Sequence, residues 1–162
     1  MKNKNLSFMT QAAMIAAIYV VLTYIFAPFS FGEVQVRISE ALTILPIFTP
    51  AAIPGLFVGC LIGNILGGAI LPDIVFGSIA TLIGAFFTWK LREQKPVIAT
   101  LPPIISNIVI VPFVLRYGYG VTLPIPFMML TVGIGEVISC TVLGLIVYGA
   151  LKKYQHTLFR AV

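Results

Sequence analysis

Residues 51–70 read AAIPGLFVGCLIGNILGGAI: twenty positions without a charge, with Gly55, Gly59, Gly63 and Gly67 at a strict four-residue interval. At about 1.5 Å per residue, such a run is long enough to cross a hydrocarbon core of roughly 30 Å. A four-residue interval also stacks the glycines on one helical face. Leu56, Cys60, Asn64 and Gly68 form the adjoining stripe. A face of nearly bare backbone lets a second helix approach closely, as small-xxx-small surfaces do in membranes. The stretch therefore predicts one helix of an integral membrane bundle.

The rest of the chain agrees. Of 162 residues, 59% are hydrophobic and 9% charged, with a mean hydropathy of +1.07, whereas soluble domains are about 25% charged. At about 20 residues per crossing the length allows six helices, all in one transmembrane domain over 1–162. That excludes a separate nucleotide-binding, redox or nucleic-acid module. The chain has no GxxxxGK phosphate loop, HExxH or GxSxG, and its one histidine, His156, lies in a basic tail, so neither an enzyme nor a metal or cofactor site is expected. Cys60 and Cys140 both fall inside apolar runs and read as small packing side chains.

Outward from the glycine ridge, the spans are expected at about 9–27, 38–49, 51–70, 74–91, 96–115 and 127–151. The first ends at Pro28 and carries Ala12, Ala13, Ala16 and Ala17, two overlapping AxxxA pairs. They suit either internal packing or docking of another subunit. Its basic start resembles a secretory signal, but further apolar segments follow, and it reads as the first transmembrane helix. Between the first two spans, FSFGEVQVRIS (29–39) alternates in polarity like extended chain, an ordered outer loop. The second span is short and contains Pro46. In the fifth, Pro102, Pro103 and Pro112 predict a kinked helix.

Charge settles how many segments cross. With six crossings and the N-terminus inside, Lys2, Lys4, Lys90, Arg92, Lys95, Lys152, Lys153 and Arg160 lie inside and only Arg37 and Arg116 outside. If the second span did not cross, seven of the ten basic residues would lie outside, against the positive-inside rule. Both termini are thus expected in the cytoplasm.

On that topology the polar groups gather toward the outer half. Glu136, twelve residues beyond Pro124, sits about 18 Å down, near the midplane. Gly133, Cys140 and Gly144 share its face, so its carboxylate looks into the bundle. An ionisable group there marks a functional site by default. Asn64 and Asn107 come from two other spans, Asp73 from the short outer turn before the 74–91 span, Glu33, Arg37 and Glu40 from the first outer loop and its end, and Tyr117 and Tyr119 from the last loop. A polar pocket open outward with no polar path inward is a binding site more than a channel. Plainer readings exist for each: an Arg37–Glu40 pair, interhelical amide hydrogen bonds, an interfacial tyrosine belt.

The segment GEVQVRISEALTILPIFTPAAIPGLFVGCLIGN (32–64) resembles the signature of the queuosine-precursor transporter (QueT) family, and the likeness continues through DIVFGSIATLIGAFFTWKLR (73–92). The resemblance implies a six-helix substrate-binding component (S component) of an energy-coupling factor importer in a bacterial cell membrane. Such a component captures a 7-aminomethyl-7-deazaguanine type base on the outer side. It relies on a membrane coupling subunit and two cytoplasmic ATPases, which alone use ATP, and has no nucleic-acid partner. In related components the alanine patch faces the coupling subunit. For such a ligand, Glu136 suits the ring edge or the amine, Asn107 and Asn64 the carbonyl and ring nitrogens, Asp73 or Glu40 the remaining charge, and a tyrosine the ring face. The alternatives are a component for another vitamin, a small stand-alone carrier, or a structural helix bundle.

Overall fold

The computed structural model describes residues 4–26 and 36–159. It is helical throughout the described residues, with no strand among them. Helix α1 is Lys4–Ile25; a 3-10 helix follows at Ile38–Ile47. Then come α2, Ala52–Leu66, and α3, Leu71–Lys90. Helix α4 is Pro96–Gly118, α5 is Ile125–Lys152, and a terminal turn, α6, is Gln155–Leu158. Four of these, α1, α3, α4 and α5, are long and apolar enough to cross a membrane; the 3-10 helix and α2 are shorter apolar helices.

The glycine ridge packs as its spacing predicts, and α1 is what it packs on. A Cβ at Gly59 would stand 2.8 Å from the Tyr19 Cβ and 3.1 Å from the Ala16 Cα, and one at Gly55 would stand 2.7 Å from the Ala12 carbonyl oxygen. Only glycine permits this separation between α1 and α2. A second close crossing joins α3 to α4, where a Cβ at Gly84 would meet the Pro103 Cα at 2.6 Å. Hydrogen bonds seal that pair: Thr88 donates to the Ala99 carbonyl and Ser106 to the Ala80 carbonyl, both at 2.9 Å. Large side chains such as Met14, Ile18, Phe87, Ile105, Leu130 and Ile146 are left exposed on the outside of the bundle, where lipid would meet them.

The second segment is helical but tighter than an α-helix. Its 3-10 geometry rises about 2.0 Å per residue, so ten residues cover about 20 Å rather than 15 Å. Every residue from Ser39 to Pro46 is buried, and Ile15, Tyr19, Leu56, Cys60 and Ala85 pack with Leu42 and Leu45 of this element to form the core. Arg37, just before it, is extended, while most of the expected outer loop, with Glu33, lies outside the described residues.

Two of the prolines of α4 act near its N-terminal end rather than its centre. Pro102 and Pro103 fall in the first turn after a break at Thr100, where a missing N–H costs nothing. Pro112 is internal, and the helix widens to π geometry at Val114–Gly118. A second π stretch, Val137–Leu143, begins beside Glu136 in α5. Such widenings occur frequently at functional sites.

Candidate ligand site

Helices α1 to α5 and the 3-10 helix each send a polar side chain to one buried cluster. Glu40 of the 3-10 helix and Glu136 of α5 are its acids, 0% and 3% exposed. Tyr19 of α1 donates its hydroxyl to Glu40 Oε1, and Thr81 of α3 donates to the same oxygen at 3.4 Å. Cys140 donates its thiol to Glu136 Oε2 at 3.2 Å and accepts from Thr43 at 3.5 Å. Asn107 of α4, also buried, lies beside Glu136. Cys60 of α2 accepts from Thr81 at 3.4 Å and from Asn64 at 3.6 Å.

Local sequence explains the convergence. Glu136 and Cys140 are four apart on one face of α5, and Gly77, Thr81, Gly84 and Thr88 recur along one face of α3. Tight turns in the 3-10 helix keep Ser39, Glu40 and Thr43 all inside. Ligand atoms of Glu40, Glu136 and Cys140 lie within 4.8 Å of one another. This is the one cluster among the described residues with the donor set to hold a metal ion.

The cluster is incompletely satisfied. Glu40 Oε2 and the Ser139 hydroxyl are buried and have no hydrogen-bond partner. Buried polar atoms are ordinarily paired, and an open carboxylate oxygen in the interior is costly until something donates to it.

A second polar group lies at the end of the bundle where α3 begins. Asp73, in the first turn of α3, accepts from the Tyr119 hydroxyl at 2.9 Å, and Arg37 lies 3.6 Å from the same oxygen. Asn64 donates to the Asp73 carbonyl at 3.4 Å, and the Ile70 amide to Tyr119 at 3.4 Å. Burial, and then the Asp73 charge, push the Tyr119 hydroxyl above the ordinary tyrosine value of 10.0. A single carboxylate thus ties the chain leading into the 3-10 helix, through Arg37, to the α4–α5 loop, through Tyr119. Gly77 leaves the space for this: a Cβ there would stand 3.0 Å from Asp73 Oδ1 and 3.2 Å from Asn64 Nδ2.

Of the residues singled out from the sequence, Glu40, Glu136 and Asn107 meet in the deep cluster, Arg37, Asp73 and Tyr119 in the outer one, and Asn64 touches both. Tyr117 joins neither. It is 78% exposed and stacks on Phe113, with ring centroids 6.4 Å apart, on the outside of the bundle. The alanine patch divides: Ala16 is buried and Ala12 partly so, against the glycine ridge, while Ala13 and Ala17 are exposed. Sequence reasoning missed Tyr19, Thr43 and Thr81, and took Cys60 and Cys140 for simple packing groups. The available signal was a tyrosine within an apolar helix, whose hydroxyl needs a buried partner.

The fold is that of a multi-pass helical membrane protein, with an acidic polar cluster buried among its helices. The chain belongs to the QueT transporter family, whose model matches residues 9–153. A curated relative, the queuosine precursor transporter QueT of Lactococcus lactis subsp. cremoris (strain MG1363), is 33% identical over 84 residues, 51% of this chain and 48% of the relative. The chain thus spans about half the length of the curated relative it matches. No solved structure matches it.

Proposed function

We propose that this chain is the substrate-binding component of an ATP-driven importer of the energy-coupling factor type, capturing a queuosine precursor of the 7-aminomethyl-7-deazaguanine kind on the outer side of a bacterial cell membrane. The observation that carries the reading is the buried cluster around Glu40 and Glu136, to which all six segments contribute. A guanine-like base offers a row of N–H donors and a carbonyl, and the cluster offers two carboxylates and an amide. The name of the Lactococcus relative supports the same cargo.

Six crossings with both termini inside follow from the distribution of basic residues. The 3-10 helix serves as the second crossing, its short length extended by its larger rise and its backbone shielded by neighbours. Outer Asp73 latches the mouth. Energy comes from a membrane coupling subunit and two ATPases, and Ala13 and Ala17, small and exposed on α1, give the coupling subunit a surface for close helix approach.

The test is purification of a tagged chain from its host. The account expects co-purification of a membrane coupling subunit with ATPases, and uptake of labelled base that is lost when Ala13 and Ala17 are both replaced by Leu. Uptake by the chain alone in proteoliposomes without ATP would show a stand-alone carrier and overturn the proposal.

A further inference from the structure

The three acids considered for the ligand's positive charge, Asp73, Glu40 and Glu136, do not have equal claims. Asp73 has one oxygen, Oδ1, without a hydrogen-bond partner, but its Oδ2 already faces a cation, Arg37, and the Tyr119 hydroxyl. Glu40 and Glu136 instead face each other, with the Cys140 thiol, inside 4.8 Å, in a volume closed to solvent. The side-chain hydrogen bonds that reach them come from neutral groups, Tyr19, Thr81 and Cys140; the charge of Arg37 also acts on both acids, but its guanidinium is paired with Asp73. Tyr19 and Thr81 both donate to Oε1 of Glu40, and Oε2 is left open.

We infer that the Glu40–Glu136 pair is the specificity determinant that reads the cationic arm of the ligand, so that the protein selects a protonated alkylamine-bearing base over a neutral base of the same ring. The inference rests on the proposed cargo and deepens it by assigning the charge to one pair of residues. An ammonium carries three N–H donors and one positive charge, which suits an open carboxylate oxygen with a second carboxylate beside it. Two like charges this close repel in the bundle interior, and a monocation between them relieves the repulsion. A neutral nitrile or methyl group in the same place brings neither charge nor donor and leaves Glu40 Oε2 unpaired. Rejection of the wrong ligand therefore arises from the same atom that attracts the right one. Asp73 takes a different part: it holds the outer loops and leaves discrimination by charge to the pair.

The experiment uses the full-length purified protein in detergent, freed of metals by chelator, and three probes sharing one ring: 7-aminomethyl-, 7-cyano- and 7-methyl-7-deazaguanine. Wild type is expected to prefer the aminomethyl base by about ten- to a hundredfold or more, the effect of a hydrogen bond to a charged group. Glu40→Gln should shrink that preference to within a few fold, mainly by weakening the aminomethyl base, while Asp73→Asn should keep it. Because Glu40→Gln removes charge from a packed centre, Glu40→Asp, which keeps the charge, is the paired control and should retain the preference with lower affinity. Equal affinity of wild type for all three bases would overturn the inference and leave the proposed cargo standing. Binding of none of them would overturn both. Stoichiometric uptake of Zn2+ at the pair that excludes the aminomethyl base would also overturn it, assigning the pair to a metal.

Discussion

Replacing Ala12 and Ala16 by Leu should unfold what replacing Ala13 and Ala17 by Leu leaves intact, although the two pairs are one residue apart in sequence and identical in chemistry. The Ala16 Cα and carbonyl oxygen lie only 3.1 Å from where a Cβ on Gly59 would stand, and the Ala12 carbonyl 2.7 Å from one on Gly55. An interface with no room for a methyl group cannot take an isobutyl group without moving helices. Overpacking of a filled core costs about 1–3 kcal/mol per site, so the Ala12/Ala16 double variant should lose about 2–6 kcal/mol, a large share of the usual 5–15 kcal/mol of a folded domain. The side chains of Ala13 and Ala17 are exposed, and substitution there should change stability by less than about 0.5 kcal/mol. Thermal unfolding in detergent, with and without ligand, reads the difference, and uptake in cells reads the docking role. An Ala12/Ala16 variant as stable as wild type, beside an Ala13/Ala17 variant that unfolds, would refute this assignment of the two faces.

Three further expectations bear on other parts of the account. Tyr19→Phe keeps the ring and deletes the donor to Glu40; it should destabilise the unliganded protein by about 1.5–3 kcal/mol, the range for a hydrogen bond to a charged group, measured as a loss of melting temperature. Tyr119→Phe, at a partly exposed site, should cost under about 1 kcal/mol in stability but speed ligand release, because one tie to Asp73 is gone. Since the Tyr119 hydroxyl is raised above 10.0, its tie holds below that pH and is lost as pH rises through the shifted value, so release should quicken only in that range; a release rate unchanged in the Phe variant would remove the latch. Single cysteines at Gln94 and His156 should resist impermeant thiol reagents in intact cells, whereas one at Thr122 should react; outside labelling at 94 or 156 would overturn the orientation.

Much of the bundle was legible because glycine spacing and apolar length are local properties. The ridge from Gly55 to Gly63 announced a close helix crossing, and the face shared by Glu136 and Cys140 announced an inward carboxylate. The character of the second segment was not legible: an apolar run with one proline suits a short α-helix as well as a 3-10 helix, and burial on all sides, which comes from its neighbours, decides between them. The alanine pairs could not be sorted either, since Ala12 and Ala13 differ only in which helix face meets α2. Long-range partners were likewise hidden. Tyr19 and Glu40 are 21 positions apart and Asp73 and Tyr119 are 46 apart, separations at which a single sequence carries no pairing signal. Thr43 and Thr81 passed unnoticed because threonine is tolerated in membrane helices through a bond to its own helix backbone, which Thr81 also makes, to the Gly77 carbonyl at 3.1 Å.

The central claim is that the buried acids bind the transported base, and equilibrium titration of purified wild type and Glu136→Gln with 7-aminomethyl-7-deazaguanine tests it most directly. The amide keeps the size of the side chain and its place beside Asn107 and Cys140 but removes the charge, so affinity should fall by about ten- to a hundredfold, while the melting temperature without ligand stays level or rises as a buried charge is lost. Equal affinities in a well-folded variant would contradict the account.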